Sequence, residues 1–173
     1  MPFKNLIRFM LGMVKESSRN ALERFFPKLN EATHMSQQAF SLARQKLKWE
    51  AVEELFRASV EGSYNEEIKD WRGWLLMAVD GSRIVLPPDA ELREYYGTTG
   101  NETAATAQAS ILYDIENDII VDAKIGPLQE NERSLAKKHA DRLAVIGAWF
   151  EGRKAIVIFD RGYPSKDLIE HLE

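Results

Sequence analysis

The chain has 173 residues, 45% of them hydrophobic, which suffices for one compact domain or for a small domain and part of another. It contains no cysteine and only three histidines, so a disulfide framework and a thiolate metal site are excluded and a histidine-rich zinc site is disfavoured. The net charge of −4 conceals an asymmetry, because residues 1–48 carry nine basic against three acidic side chains and the remainder carries 14 against 24. This balance favours a polyanionic partner for the first segment and a carboxylate site in the second, although ordinary solvated helix faces would give the same counts.

Residues 1–70 have the apolar spacing of amphipathic helices and are predicted to form a helical DNA-binding region. The first helix, which begins near Phe3, is interrupted by charged residues and is too short to cross a bilayer. Ser36 is placed to cap a further helix at residues 37–47. A second domain is predicted at residues 71–173, where the pattern changes.

The helix predicted at residues 37–47 has two faces of different chemistry. Phe40, Ala43 and Leu47 form an apolar stripe that should pack inward. The other positions carry amides, hydroxyls and cations, which hydrogen-bond to base edges and phosphates. This pattern is compatible with a helix-turn-helix reader of DNA, and helical packing without DNA contact is the equal alternative. The predicted DNA-contacting residues of this region are Gln37, Gln38, Ser41, Arg44 and Lys48.

From Trp71 onward the pattern is that of a mixed α/β domain. Two of the predicted strands flank an acidic turn and should form a hairpin. A helix that begins after Asn131 separates this hairpin from the last strand, so the last strand should pair in parallel with an earlier one. A final helix is predicted from Ser165. The expected order is three strands, a helix, a strand and a helix, and the predicted strands are residues 75–79, 106–113, 119–125 and 155–159.

Two of these strands are followed at once by an aspartate, with a glycine within two further residues. Asp80 follows the strand at 75–79, and Asp160 follows the strand at 155–159. If the strands are neighbours, both carboxylates emerge at the same edge of the sheet, where a hard divalent cation would relieve their repulsion. The pattern therefore predicts a Mg²⁺ or Mn²⁺ site suited to phosphodiester chemistry. Two unrelated aspartates at strand ends remain the alternative.

Several segments together carry a family resemblance: SQQAFSLARQKL (36–47), MAVDGSRIVLP (77–87), AQASILYD (107–114), IIVDAKIGP (119–127), NERSLAKKHADRL (131–143) and IVIFDRGYPSKDLI (156–169). They resemble the insertion-sequence transposases with a DDE catalytic triad, in the branch whose third acid lies in a Tyr-Arg-Glu-Lys signature. The resemblance implies an RNase H-like core in which Asp80 and Asp160 are the first two catalytic acids and metal ligands. It also implies a bacterial, nucleoid-associated protein that binds transposon ends and target DNA as a homodimer in a synaptic complex. Arg161 is expected to face a DNA phosphate or, equally, to form a salt bridge.

One part of the family pattern has no counterpart in the sequence. No residue matches the Glu of the Tyr-Arg-Glu-Lys signature, and Glu170, on the helix directly after Asp160, should not be given that role. The chain is therefore expected to be the amino-terminal part of a transposase and to be inactive alone. The rival expectation is a non-catalytic DNA-binding remnant. A phosphatase with Asp160 as nucleophile is a weaker alternative, because no second aspartate follows two residues later.

Other chemically capable residues have plainer interpretations. The turn acids Asp114, Glu116 and Asp118 lack the glycine and the distal glutamate of a calcium-binding loop, so a solvated turn is predicted. His139 lies on the apolar face of its helix and is predicted to be a packed histidine rather than a ligand.

Overall fold

The structure, a computed structural model, describes residues 2–13, 17–29, 35–64, 67–100 and 102–172. The chain forms two compact units, Met1–Phe56 and Arg57–Glu173. The division falls inside a helix, whereas the sequence placed the domain boundary at residue 70. That boundary stays a prediction.

The first unit is helical, and serine hydroxyls begin two of its helices. Ser17 Oγ accepts a hydrogen bond from the backbone N–H of Asn20 (3.3 Å), and Ser36 Oγ accepts one from that of Ala39 (3.2 Å). The cap predicted at Ser36 is therefore confirmed. The helices are α1 (Phe3–Leu11), α2 (Ser18–Phe25), α3 (Gln37–Gln45) and α4 (Trp49–Ser63), with a 3₁₀ turn at Phe26–Leu29.

Aromatic side chains form the centre of the first unit. The ring of Phe9 meets those of Phe40 and Phe25 edge to face, with centroids 4.8 and 5.2 Å apart. Ala43 and Leu47 pack against the same cluster, which confirms the inward stripe predicted for α3. Only Phe40 is fully buried in α3, so most of the polar side chains of this helix remain exposed.

The second unit is built on a four-stranded mixed sheet. Its strands are β1 (Trp74–Val85), β2 (Thr106–Asp114), β3 (Ile119–Pro127) and β4 (Lys154–Phe159), and its helices are α5 (Ala90–Tyr96), α6 (Glu132–Ile146) and α7 (Lys166–Leu172), with a 3₁₀ turn at Gly147–Phe150. The strand order is β3-β2-β1-β4, with β1 antiparallel to β2 and parallel to β4. Helix α6 provides the crossover that the parallel pair requires. The predicted mixed α/β fold is confirmed, and it is consistent with a partial RNase H-like core.

Strand β1 continues through Asp80 and Gly81 to Val85, whereas the sequence analysis ended this strand at Asp80. That part of the prediction was wrong because glycine in an apolar run was read as a turn. In the structure β1 stays paired with β2 through this point, with Gly81 opposite Ser110. Pairing with β4 stops at Val79, so β1 loses its parallel neighbour just where Asp80 begins.

Two local features differ from the sequence-based expectation. Helix α5 was not predicted, although Asp89 Oδ1 caps its first turn by accepting the N–H of Glu91 at 2.9 Å. Asp114, predicted to be solvated, is fully buried and accepts a hydrogen bond from the Tyr64 hydroxyl at 2.7 Å. Asn117 donates to the same carboxylate through its backbone N–H and its side-chain amide. Asp114 therefore anchors the hairpin turn to the residue that follows α4.

The two faces of the sheet differ in burial. Leu75, Met77 and Val79 alternate along β1 and are buried on the face that α6 covers. Strand register puts Asp80 and Asp160 on the opposite face, because side chains alternate from one residue to the next. Four isoleucines on that opposite face are exposed: Ile84, Ile120, Ile125 and Ile158.

Candidate active site

Asp80 and Asp160 occupy matching positions on neighbouring parallel strands. Val79 and Phe159 form the last register pair between β1 and β4, and an aspartate follows each of them. Neighbouring strands lie about 4.8 Å apart, so the two residues leave the paired region side by side. The structure thus brings together the two acids that the sequence singled out, one of them in the middle of β1 rather than at its end.

Both carboxylates keep oxygen atoms available for a further ligand. Asp80 Oδ1 accepts the backbone N–H of Gly81 at 2.8 Å, and Asp160 Oδ1 accepts that of Arg161 at 2.5 Å. Neither carboxylate forms an ion pair within the described part of the chain. Nor do the described residues contain a group of three or more His, Asp or Glu side chains that could hold a metal ion. Two carboxylates suit Mg²⁺, which usually completes its shell with water and substrate phosphate.

A buried tyrosine lies beside this pair and was missed by the sequence analysis. Tyr163 is 2% exposed, and its hydroxyl has no hydrogen-bond partner among the described residues. Burial first, and then the negative charges of Glu132, Asp80 and Asp160, together raise the pKa of Tyr163 to about 12. The nearby Ser110 hydroxyl lowers the pKa of Tyr163, although the hydroxyls of Ser110 and Tyr163 do not meet the geometry of a hydrogen bond. The Tyr163 hydroxyl is thus a buried donor within the electrostatic influence of three carboxylates.

Glycine at position 81 leaves room for this arrangement. A Cβ atom there would lie 3.3 Å from Glu132 Oε1, 3.2 Å from Gln108 Nε2 and 3.4 Å from the Ala109 carbonyl oxygen. Each of these distances is tighter than, or at the limit of, ordinary contact for a side chain. The Asp-Gly pair was recognised in the sequence, but the approach of Glu132 from the first turn of α6 depends on the fold.

An open cleft of about 430 Å³ is lined by two arginines and by Gln108 and Glu132, the two side chains nearest to Gly81. Arg133, on α6, donates two hydrogen bonds to the carbonyl of Gly162 (3.2 and 3.0 Å), which ties the helix to the turn after Asp160. Arg83 is exposed on β1, three residues beyond Asp80, and makes no ion pair within the described ranges. Cations on this border provide attraction for a polyanion.

A buried polar network lies under the site, between α6 and the sheet. His139 is 1% exposed and lies 2.8 Å from Asp122 through Nδ1 and 3.1 Å from Ser110 through Nε2. The Ser110 hydroxyl donates to the main-chain carbonyl of Asp80 at 3.1 Å. Burial raises the pKa of Asp122, but hydrogen bonds from His139 and Lys124 outweigh it and hold that pKa below the ordinary range. The prediction that His139 is packed and not a ligand is compatible with this environment.

The residues predicted to contact DNA lie in both units. In the first unit all but Ser41, which is half-buried, are exposed, so the α3 side chains are accessible to a partner. Arg161 is exposed in the turn after Asp160 and has no ion-pair partner in the ranges that the structure describes. Their DNA contacts stay a prediction. The first-unit residues are Gln37, Gln38, Ser41, Arg44 and Lys48.

Comparison with known proteins identifies the family. None of the described helices is long and apolar enough to cross a membrane, and no solved structure matches the chain. Over 142 residues the chain is 30% identical to "Putative transposase InsZ" of Escherichia coli (strain K12), in an alignment that covers 78% of this chain and 45% of that protein. The chain thus spans less than half the length of this relative. Residues 71–173 match the family described as "Transposase DDE domain", and the chain therefore belongs to the transposases with a DDE domain.

Proposed function

We propose that the complete protein is a metal-dependent DNA transposase, in which Asp80 and Asp160 are the first two catalytic acids. The activity would be hydrolysis of a phosphodiester at the transposon end, followed by transfer of the freed strand to target DNA. The observation that supports this most directly is the register of β1 and β4, which pairs Val79 with Phe159. Two ionised carboxylates side by side repel each other, and a bound cation would remove this repulsion.

The residues around the pair suit a phosphodiester substrate. Asp80 and Asp160 would hold Mg²⁺ or Mn²⁺ through their remaining oxygens, and the bound ion would supply charge neutralisation and an activated oxygen nucleophile. Arg161, exposed in the turn after Asp160, would bind and orient the phosphate backbone. Arg83 lies three residues beyond Asp80 on the other face of β1, where it lines the cleft and would attract the polyanion.

The finer assignment rests on the sequence resemblance. We assign the protein to the branch with the Tyr-Arg-Glu-Lys signature, whose third acid has no counterpart among residues 1–173. The 173-residue chain should therefore bind a metal weakly and should not cleave DNA by itself. The exposed isoleucines on the face that carries Asp80 support packing of a further protein segment there.

A non-catalytic DNA-binding protein is the second candidate. It is favoured by the exposed amide and basic side chains of α3, which suit contacts with DNA. In that case the aspartate pair would have no ligand to hold. Metal binding therefore distinguishes the two functions.

The test is a Mn²⁺ titration of the 173-residue chain, followed by electron paramagnetic resonance of the free ion. Asp80→Asn and Asp160→Asn should each weaken Mn²⁺ binding by more than about 10-fold, since each removes a direct ligand. The control is Asp141→Asn. Asp141 lies in the second half of α6, and its exposed carboxylate is hydrogen-bonded to His171 on α7. Binding that is unchanged in either site variant would remove that aspartate from the proposed metal site. No binding by the wild-type chain would favour the second candidate.

A further inference from the structure

A chain of buried hydrogen bonds connects α6 to the main chain of Asp80. It runs from Asp122 on β3 to His139 on α6, then to Ser110 on β2, and ends at the carbonyl oxygen of Asp80 on β1. We call Asp122, His139 and Ser110 the His139 relay. All three are at least 94% buried, with 5%, 1% and 2% of their surface exposed. The relay joins three strands and the crossover helix at one point.

Asp122 fixes the orientation of the imidazole. Its carboxylate is an acceptor with two occupied oxygens, because Oδ1 receives Lys124 Nζ at 3.0 Å and Oδ2 faces His139 Nδ1 at 2.8 Å. An ionised carboxylate cannot donate, so Nδ1 must carry the hydrogen. The ring is then held with Nε2 directed at Ser110, since its other nitrogen is committed to Asp122.

Ser110 connects the oriented imidazole of His139 to the main chain of Asp80. The Ser110 hydroxyl has one hydrogen, which it donates to the Asp80 carbonyl oxygen at 3.1 Å. Nε2 of His139 lies 3.1 Å from Ser110 Oγ. The Ser110 hydroxyl thus lies between the imidazole ring and the Asp80 carbonyl and is within hydrogen-bond distance of both. Because Ser110 is paired with Gly81 across the β1–β2 ladder, the hydroxyl acts where β1 has just lost its β4 neighbour.

Apolar packing alone does not require a histidine at this position. Its neighbours on α6, Leu135 and Ala136, are buried and apolar, and a leucine would fill the space without the free-energy penalty of burying a polar ring. A buried polar network is stabilising only when all its members are bonded, and such a network fixes geometry more tightly than apolar packing does. The fixed geometry here is that of the residue that carries one of the two site carboxylates.

We propose that His139 is a positioning residue for the carboxylate pair, acting through Ser110 on the main chain of Asp80. This inference rests on the proposed function, because it assumes that Asp80 and Asp160 together hold a divalent cation. His139 itself does not contact Asp80. Its effect is to keep the Asp80 backbone in the position from which the carboxylate stands beside Asp160.

The experiment measures Mn²⁺ affinity and unfolding in urea for Ser110→Ala, His139→Leu and the double variant. Ser110→Ala should weaken Mn²⁺ binding by about 10-fold, as the loss of outer-shell partners does at other metal sites. The double variant should bind no more weakly than His139→Leu alone, since both changes interrupt one path. The matched control is Ser134→Ala, which removes a part-buried hydroxyl of α6 that donates to Glu130 instead.

Wild-type affinity in Ser110→Ala, or additive losses in the double variant, would overturn the proposal. A second readout does not need the metal: the backbone N–H of Gly81, which donates to Asp80 Oδ1, should shift in the NMR spectrum of Ser110→Ala and not in that of Ser134→Ala. If the wild-type chain binds no Mn²⁺, the proposed function fails, and the Gly81 signal still decides whether the relay positions Asp80. If His139→Leu does not fold, Ser110→Ala carries the test alone.

Discussion

Replacement of Asp122 by asparagine should destabilise the second unit strongly at neutral pH. The carboxylate is 5% exposed and accepts hydrogen bonds from Lys124 and His139. The amide of asparagine has no charge, and its NH2 group would face Lys124 or His139, each of which is itself a donor. Breaking a buried charged pair from one side costs about 3–5 kcal/mol. Because Lys124 is 30% exposed and can turn to solvent, Asp122→Asn should lower the free energy of unfolding by about 3 kcal/mol, the lower end of that range.

The same interaction gives this difference a defined pH dependence. Burial raises the pKa of Asp122, but the donors of His139 and Lys124 hold it below the ordinary value of 3.8. A group whose folded-state pKa is depressed contributes stability above its unfolded-state pKa and loses that contribution as the pH falls through the folded-state pKa. Protonated Asp122 then resembles asparagine, since it has lost its charge. The stability gap between wild type and Asp122→Asn should therefore narrow below pH 3.8.

Urea unfolding followed by tryptophan fluorescence, at a series of pH values from neutral to acidic, measures this gap. Asp141→Asn is the control, because its carboxylate is exposed and its ion pair with His171 should contribute less than about 1 kcal/mol. A gap below about 1 kcal/mol at neutral pH would refute the buried-pair argument. A gap that keeps its full size on acidification would show that charge on Asp122 is not its source.

Two further substitutions test the cores of the two units. Tyr64→Phe should lower the free energy of unfolding, measured in urea, by about 1–3 kcal/mol, because it leaves the buried Asp114 with one donor fewer. The control is Tyr113→Phe, whose hydroxyl bonds the exposed Asp118, and equal effects of the two substitutions would contradict the prediction. Phe40→Ala should destabilise the first unit by about 3–5 kcal/mol, measured as loss of helical circular dichroism in urea. Leu42→Ala, on the same helix but 54% exposed, is the control and should have little effect.

The strands of the second unit could be predicted because each is an apolar run bounded by turn residues. The parallel pairing of the last strand followed from a topological rule, since a crossover helix between strands implies a parallel pair; the neighbouring positions of Asp80 and Asp160 were a condition of the sequence argument and not a result of it. The fold around these two residues is therefore encoded locally. The break predicted at Gly81 was wrong for the opposite reason: whether a glycine turns the chain or stays in a strand depends on the partner strand, here β2.

The environment of the site could not be predicted, because its contacts join residues that are distant in sequence. His139 is 17 residues from Asp122 and 29 from Ser110. On a helical pattern it is simply a histidine on an apolar face. Likewise Glu132 appears as a favourable acid in the first turn of α6, and only the packing of α6 against β2 and β3 brings its carboxylate close to Gly81.

The placement of the aspartates depends on the register of one edge strand. Side chains alternate along β4, so a slip of one residue would turn Asp160 toward the buried face under α6 and expose Phe159 in its place. That exchange would bury an unpaired carboxylate in an apolar layer, and the desolvation of its charge would strongly destabilise the folded state. Arg133 reinforces the native register through its two hydrogen bonds to the carbonyl of Gly162. The position of the Asp80 partner is thus set by apolar side chains on the other face of the sheet, which explains why the strand pattern alone was enough to propose Asp80 and Asp160 as a pair.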